Sequence, residues 1–557
     1  MKLWTFLLLI LSFILYPSTS SSSLFKHRFL RGESSSRKEI ETEISYETKY
    51  FKQNLDHFSF KNDLPTFPQR YLINTDHWNH SSMGPIFFYC GNEGDILWFA
   101  QNSGFLWEIA PLFKAMLVFP EHRYYGESVP FGSKYEAYKN ATTLSYLTSE
   151  QALADFALLI THLKRNYSAL HSPVVLFGGS YGGMLAAWMR LKYPHIAVGA
   201  LASSAPILQF EDIIPPQTFY DIVSNDFRIR SRYGPIRLLC GPMWLHHCDS
   251  ESHRIYNVMR LQWLWQTQYC GCSGYGKRNI AAASGDVRES LTCFNYIKQS
   301  WDEIASRGQT NDGLAQLTTT FKFCQQLKSS EDLSGWLSSA YSYLAMVNYP
   351  YPAEFMMPLP GHPIKEVCRR IDGGSHGTSI LERIYEGVNV YYNYTGEAKC
   401  FELDDDPHGL SGWNWQACTE MVMPMSSSPE SSMFPPYEFN YSSFEEECLE
   451  EFGVKPRPKW ITTEFGGHNI HATLKNFGSN IIFSNGILDP WSGGSVLQNI
   501  SESVVALVTE EGAHHIDLRA STKNDPSWLI EQRATEIKLI QGWISDHYQK
   551  NKVIFDM

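Results

Sequence analysis

The sequence predicts an α/β fold in which a largely parallel sheet carries an inserted helical domain. Short apolar runs alternate with amphipathic helix patterns in the N-terminal part of the chain. This alternation is typical of a parallel sheet that is covered by helices on both faces. The strand pattern stops near residue 211 and returns near residue 480, which indicates an insertion into one sheet.

The composition is that of an ordinary globular protein. Apolar residues make up 43% of the 557 residues and charged residues 19%, which excludes a collagen-like or wholly disordered chain. The formal net charge is −12. Because general nucleic-acid binding needs a basic face, the charge argues against a nucleic-acid partner.

The N-terminus has the pattern of a cleaved signal peptide. A single Lys2 precedes an apolar run from Leu3 to Leu15, and small residues follow. The run is too short for a comfortable membrane span, so we expect residues 1–20 to be removed and 21–45 to be a flexible tail or propeptide. No second run of spanning length follows, so we expect no membrane span in the mature protein.

Cysteine content and glycosylation signals agree with the secretory pathway. The 11 cysteines suit an oxidising compartment. Asn-x-Ser/Thr acceptor sites for glycans occur at Asn79, Asn140, Asn166, Asn393, Asn440 and Asn499. We therefore expect a lumenal or extracellular glycoprotein.

The predicted elements define the domain organisation. Buried strands are predicted at Gly84–Cys90, Ala115–Pro120, Ser172–Phe177, Val198–Ser204, Asn480–Gly486 and Val504–Val508. Helices are predicted at Ser149–Tyr167, Tyr181–Tyr193 and Ser527–Tyr548. Residues 46–210 and 395–557 would form the α/β core, and the helix-like, cysteine-rich residues 211–394 would form an inserted cap.

The strongest chemical motif is the segment Gly178–Gly182, Gly-Gly-Ser-Tyr-Gly, at a strand-to-helix junction. A sharp turn there exposes a serine hydroxyl and requires neighbours without bulk. The helix N-terminus directs backbone N–H groups toward a developing oxyanion. The pattern predicts Ser180 as a nucleophile, against the alternative of a structural glycine-rich turn.

A serine nucleophile needs a base and an orienting carboxylate, which follow the serine in this architecture. Asp489 comes just after one C-terminal strand, and His514 and His515 come after the next. Spacing alone does not choose between the two histidines; the second could pair with Asp517 or pack. Asp489 is the expected carboxylate, against the alternative of an aspartate that only caps a helix or forms a turn.

The oxyanion hole should combine two backbone donors. One is the N–H of Tyr181, the residue after the nucleophile, and the other comes from a loop after an early strand. Gly91 and Asn92 lie on the best candidate loop, Gly91–Gly94.

Five motifs in order resemble the lysosomal Pro-Xaa carboxypeptidase and dipeptidyl peptidase II family of serine exopeptidases. The motifs are Gly91–Asp95, Glu121–Gly126, Gly178–Met184, Leu488–Gly494 and Glu511–His515. The resemblance implies an α/β-hydrolase core with a helical, disulfide-bonded cap. It implies Ser180, Asp489 and His514 as the catalytic triad and cleavage beside proline.

The sequence is more similar to the carboxypeptidase branch, which releases a C-terminal residue from Pro-Xaa ends. The impression comes from Gln416–Pro424 and Trp491–Gly494. A dipeptidyl peptidase, an inactive secreted glycoprotein of the same fold and an esterase or lipase are the alternatives. The resemblance implies a lysosomal, vacuolar or extracellular enzyme acting on peptides with proline near an end, without cofactor or metal, and a homodimer is an option.

Further residues have candidate roles. Met184 and Trp491 flank the catalytic positions and would line a proline slot, although either could be core. Glu93 would meet a substrate amine or hold its loop. Cys90 is expected as a free core thiol, and the candidates for disulfide bonds are Cys293, Cys324, Cys368, Cys400, Cys418 and Cys448.

One segment departs from the family pattern. Residues 227–287 intervene where the family runs almost directly from sequence like Ser224–Phe227 to sequence like Arg288–Cys293. The segment mixes Trp, His, Arg and Cys without a period, and its cysteine spacings do not match a zinc site. We interpret it as an insertion foreign to the fold, such as a retained intron.

Overall fold

The computed structural model describes residues 44–555 except 62, 64, 229–282, 376 and 404–410. Several predicted segments lie outside the described residues. They are the signal peptide (1–20), nearly all of the tail (21–45), and most of the atypical segment (227–287) with the cysteines considered there for zinc.

An eight-stranded sheet forms the centre of the molecule. Its strands are β1 (Glu47–Asn54), β2 (Thr66–Asn74), β3 (Ile86–Tyr89), β4 (Met116–Pro120), β5 (Val174–Gly179), β6 (Gly199–Ser203), β7 (Ile481–Gly486) and β8 (Val504–Thr509). The spatial order is β1-β2-β4-β3-β5-β6-β7-β8. Strands β3 to β8 run parallel to one another, whereas β2 pairs antiparallel with β4 and β1 pairs antiparallel with β2.

The helices divide into those on the sheet and those between β6 and β7. The first group is α1 (Ile96–Gln101), α2 (Gly104–Phe113), α3 (Lys134–Ala137), α4 (Ala141–Leu144), α5 (Ser149–Asn166) and α6 (Tyr181–Lys192). The second group is α7 (Thr218–Arg228), α8 (Ala283–Gly308), α9 (Asn311–Thr320), α10 (Ser330–Met346), α11 (Pro363–Asp372), α12 (Ile380–Tyr392), α13 (Gly412–Thr419), α14 (Tyr441–Phe452), α15 (Trp460–Glu464) and α16 (Ile470–Phe477). The C-terminal helix α17 (Ser527–Phe555) returns to the sheet.

All six predicted strands are confirmed, and the antiparallel pair β1–β2 is an addition. The parallel strands β3 to β7 are buried on both faces, so their continuous apolar runs are visible in the sequence, whereas the edge strand β8 is only partly buried. Strand β1 is largely exposed and joins β2 through a long connection rather than a tight turn. Neither feature gives a clear strand or hairpin signal.

Both faces of the sheet are packed with helices. On one face Leu153, Phe156 and Leu163 of α5 lie in a cluster with buried residues of α6. On the other face Phe105 of α2 and Trp543 of α17 pack with strand residues. Because β3 to β8 run parallel, their carboxyl ends meet at one edge of the sheet.

Helices α7 to α12 form a cap around one hydrophobic cluster, which also includes Trp491, Ala513, Ile516 and Leu529 of the core. Disulfide bonds join Cys293 of α8 to Cys368 of α11, Cys324 to Cys400, and Cys418 of α13 to Cys448 of α14. Cys90 is buried and free.

The segment from 412 to 477, which the sequence placed with the core, is helical as well. Phe434 packs in the cap cluster. Ile461, Phe465 and Leu474 pack against the sheet. The polypeptide therefore passes from cap to core over this stretch, before the sheet resumes at Ile481.

Candidate active site

Ser180 occupies a strained turn between β5 and α6. Its backbone φ is 57° and its ψ −127°, a left-handed conformation that costs a non-glycine residue about 1–3 kcal/mol. The neighbours make room for the turn. A Cβ on Gly182 would lie 2.3 Å from Asn92 Oδ1 and 2.5 Å from the carbonyl oxygen of Cys90, so position 182 excludes every side chain.

Asp489 and His514 form a buried pair at the same edge of the sheet. Asp489 follows β7, His514 follows β8, and His514 Nδ1 lies 2.8 Å from Asp489 Oδ2. The other carboxylate oxygen of Asp489 accepts the backbone N–H of Trp491 at 3.1 Å. Both side chains are almost completely buried, so the carboxylate orients the imidazole in a dry environment.

The second histidine of the pair packs elsewhere. His515 Nδ1 accepts a hydrogen bond from Arg519 Nη2 at 2.8 Å, and its ring meets Phe355 edge-on. Burial, aided by His514 and Arg519, lowers the pKa of His515 well below its usual value. The sequence left two roles open for the second histidine, pairing with Asp517 or packing. In the structure His515 packs, and Asp517 instead accepts a hydrogen bond from the hydroxyl of Ser203.

Ser180 and His514 line one cavity of about 60 Å³ where core and cap meet. Its lining is mainly aromatic and sulfur-containing. The lining residues are Asn92, Glu93, Trp98, Phe99, Ser180, Tyr181, Met184, Pro206, Tyr343, Met346, Phe355, Met356, Trp413, Met423, Trp491, His514 and His515. Met184 and Trp491 are both in this set.

The sequence did not predict that cap residues form one side of the cavity. Tyr343 and Met346 end α10, and Phe355 follows in an irregular segment that stacks on Trp98, with ring centroids 5.0 Å apart. Trp98 Nε1 also donates to the carbonyl oxygen of Phe355 at 3.0 Å. In the sequence Tyr343, Met346 and Phe355 look like ordinary apolar core residues, so no signal marks them as cavity residues.

The loop after β3 is fastened to the nucleophile turn. Asn92 Nδ2 donates to the carbonyl oxygen of Gly179 at 2.7 Å, and the Tyr89 hydroxyl donates to Asn92 Oδ1 at 2.9 Å. Asn92 and Tyr181 face the cavity, whereas Gly91 lies behind it, where a Cβ would come within 2.2 Å of the carbonyl oxygen of Pro120.

A buried polar network holds the side chain of Tyr181. Its hydroxyl accepts from Gln416 Nε2 at 2.9 Å and lies 3.2 Å from His122 Nε2. Gln416 Nε2 also lies 3.0 Å from Glu420 Oε1, and Gln416 Oε1 accepts from the Tyr125 hydroxyl at 2.6 Å. Burial raises the pKa of Glu420 to about 8, so near neutral pH this carboxyl is largely protonated.

Glu93 places a carboxyl group in the same cavity. Burial is the main cause that raises its pKa, to about 7. Its Oε2 atom is buried and has no hydrogen-bond partner within the described part of the chain.

The six predicted acceptor sites for glycans differ in exposure. Asn140, Asn166, Asn440 and Asn499 are exposed, and Asn79 and Asn393 are half-buried.

These features together define a serine hydrolase with the α/β-hydrolase fold. They are a serine on a strained strand-to-helix turn, a buried Asp–His pair and a parallel sheet with helices on both faces. Residues 53–233 and 277–536 match the family model described as serine carboxypeptidase S28. The chain belongs to this family of serine-type carboxypeptidases.

Individual relatives agree with the family assignment. The chain is 43% identical to a lysosomal Pro-X carboxypeptidase of Homo sapiens over 511 residues, 90% of this chain and 89% of that protein. It is 35% identical to prolyl carboxy peptidase like protein 5 of Caenorhabditis elegans, over 96% and 97% of the two chains. Among solved structures, an acetylester hydrolase from Corynebacterium glutamicum matches with a TM-score of 0.35 and 12% identity, over 89% of this chain and 95% of that one.

In the part of the chain that the structure describes, no helix is both long and apolar enough to cross a bilayer. The two stretches that match the family model are interrupted between residues 233 and 277. This interruption falls inside the atypical segment 227–287.

Proposed function

We propose that this protein is a prolyl carboxypeptidase, which releases the C-terminal residue from peptides that end in Pro-Xaa. The similarity to Pro-X carboxypeptidases over about nine-tenths of both chains carries the proposal. The cavity supports it because a proline ring needs an apolar slot and offers no N–H. Met184 and Trp491 provide apolar surface beside the candidate catalytic residues.

In the proposed mechanism Ser180 attacks the carbonyl carbon of the penultimate proline. His514 takes the hydroxyl proton as the bond forms and then gives it to the departing amine. Asp489, 2.8 Å from His514 Nδ1, orients the imidazole and stabilises its charged form. Water then attacks the acyl-enzyme by the same steps in reverse, which frees the shortened peptide and restores Ser180.

The backbone N–H groups of Tyr181 and of the Gly91–Asn92 loop are the proposed oxyanion donors. The hydrogen bond from Asn92 Nδ2 to the carbonyl oxygen of Gly179 supports this role, since it keeps the loop beside the nucleophile turn. Each such donor contributes about 3–4 kcal/mol of transition-state stabilisation.

The experiment compares two kinds of substrate. An amino-blocked Xaa-Pro-Xaa peptide should be cleaved, and a free-amine Xaa-Pro reporter should not. Cleavage of only the reporter would instead establish a dipeptidyl peptidase. Glu93 supports this alternative because its carboxylate could bind the free amino group of such a substrate. An amino-blocked Xaa-Ala-Xaa peptide tests the requirement for proline.

We also propose that the protein acts in the lysosome, the vacuole or outside the cell, on peptide substrates. The lysosomal relatives and the three disulfide bonds support a route through the secretory pathway. The proposal has three further parts: residues 1–20 are removed, glycans are attached to the surface asparagines, and the protein forms a homodimer. Mass spectrometry of the secreted protein and sedimentation analysis test these three points.

A further inference from the structure

The cavity contains a carboxyl group that the proposed catalytic steps do not use. Glu93 follows β3, lines the cavity together with Ser180 and His514, and leaves Oε2 buried and unpaired in the described structure. An unpaired buried carboxylate oxygen is costly, whereas the neutral carboxyl group loses less on burial.

The groups that face Glu93 leave few ways to balance a charge. The side chain of Asn92 and the backbone N–H of Glu93 hydrogen-bond its carboxyl group, and the imidazole of His514 lies close enough to interact with it electrostatically. Four tyrosines also lie near it: Tyr89, Tyr125, Tyr181 and Tyr343. Burial raises the pKa of each of these tyrosines, so they remain neutral. Their hydroxyl groups bring no positive charge, and those of Tyr89 and Tyr125 already donate to Asn92 and Gln416.

The histidine and arginine side chains nearby add no free cation to the lining. His515, the other histidine of the cavity, is neutral because burial lowers its pKa. No Lys or Arg is among the described lining residues. Arg519 lies one layer behind, where it donates to His515 and covers the Phe355 ring at 4.0 Å.

A carboxypeptidase must nevertheless hold the free carboxylate of the residue that it removes. An ionised Glu93 would repel this group, whereas a protonated Glu93 would donate a short, strong hydrogen bond to it. With burial raising the pKa of Glu93 to about 7, the neutral form predominates in mildly acidic solution.

We propose that Glu93, in its protonated form, donates a hydrogen bond to the α-carboxylate of the departing residue and thereby selects substrates with a free C-terminus. This inference rests on the proposed carboxypeptidase function. The same residue would then exclude such substrates once it ionises, so that the preference for a free C-terminus depends on pH.

The test uses two amino-blocked peptides that end in Pro-Phe, one with a free carboxylate and one with a C-terminal amide. The ratio of their kcat/KM values cancels every pH effect on the chemical steps that both substrates share. It therefore reports the group that recognises the terminal carboxylate. For the unmodified enzyme this ratio should fall about tenfold between about pH 6 and about pH 8, because ionisation of a group with a pKa near 7 removes the donor.

Two variants sharpen the measurement. Glu93→Gln keeps a donor that cannot ionise, so its ratio should favour the free acid at every pH and stay flat. Glu446→Gln removes one charge from the exposed face of α14 and should reproduce the falling ratio of the unmodified enzyme.

Cleavage of both peptides at a pH-independent ratio by the unmodified enzyme would overturn the role of Glu93 and point to a fixed cation such as Arg519. A Glu93→Gln ratio that still falls with pH would overturn it as well. Failure to cleave either peptide, combined with cleavage of a free-amine Xaa-Pro reporter, would overturn the proposed function together with this inference.

Discussion

The backbone N–H of His514 donates a hydrogen bond to the carbonyl oxygen of Met346 at 2.8 Å. Met346 is the last residue of α10 in the cap, whereas His514 belongs to the loop after β8. The Tyr349 hydroxyl reinforces this contact by donating to the carbonyl oxygen of His514 at 2.8 Å. The cap therefore helps to position the proposed base as well as forming one wall of the cavity.

Replacement of Tyr349 should weaken catalysis without removing a group that touches substrate. Tyr349→Phe leaves the buried carbonyl oxygen of His514 without its side-chain donor, which costs about 1–3 kcal/mol. We expect a lower kcat with a smaller change in KM, and a melting temperature reduced by a few degrees. Steady-state kinetics and thermal unfolding check both effects.

Tyr391→Phe is the matched control for this variant. Tyr391 is as deeply buried in the cap, but its hydroxyl has no hydrogen-bond partner in the described structure. If the two variants lose the same fraction of kcat, the hydrogen bond to His514 does not contribute to catalysis.

Substitutions in the proposed triad should separate nucleophile from orienting group. Ser180→Ala should abolish covalent labelling by a fluorophosphonate probe. Asp489→Asn should lower kcat by roughly 10⁴-fold, because the amide favours the wrong tautomer of His514. Labelling of a folded Ser180→Ala protein would contradict the assignment of Ser180 as the nucleophile. The absence of labelling in the folded, unmodified protein would favour an inactive glycoprotein.

The stability of the protein should decrease as the pH rises from about 5 to about 8. Burial raises the pKa of Glu420 to about 8, whereas the unfolded chain releases this proton near pH 4.3. Between these values the folded state binds more protons, so the free energy of unfolding falls with pH, by up to about 1.4 kcal/mol per pH unit for one group.

Glu420→Gln tests the origin of this slope, since the amide cannot ionise and can still accept from Ser149. Its melting temperature should fall less between about pH 5 and about pH 8 than that of the unmodified protein. Glu93 contributes in the same direction, so part of the slope should persist. Equal slopes in both proteins would show that Glu420 ionises normally.

Removal of residues 234–276 should leave a folded enzyme. These residues lie between the two stretches that match the family model. The flanking helices α7 and α8 already pack together, with the Arg228 guanidinium 4.3 Å from the Phe294 ring centroid. We expect the shortened chain to keep its melting temperature and its fluorophosphonate labelling, and we expect the abundant spliced transcript to lack the segment.

An abundant transcript that retains the segment would contradict the interpretation as a retained intron. A shortened chain that fails to fold would show that the segment belongs to the fold. The full-length chain, expressed in parallel, is the reference for both measurements.

The sequence was sufficient to predict the parallel part of the sheet and the positions of the candidate catalytic residues. Asp489 was predictable because a polar residue directly after a buried strand must lie at the edge that also carries Ser180. The choice of His514 over His515 was not available from spacing. It depends on tertiary contacts, since Asp489 binds one ring and Arg519 the other.

The apolar wall of the cavity was beyond sequence reasoning for a different physical reason. Met356 and Met423 are distant in the chain, and each looks like an ordinary core residue. They line the same cavity only because the cap packs against the core. The elevated pKa of Glu93 likewise depends on burial by several elements at once, which no local pattern reports.

Strands β6 and β7 are neighbours in the sheet, yet the whole cap is translated between Ser203 and Ile481. At roughly 5–20 residues per second, a ribosome needs between about 15 s and about 1 min to make the intervening chain. Throughout this interval the nascent polypeptide contains Ser180 but neither Asp489 nor His514. The proposed triad can therefore assemble only after the last two strands have been synthesised.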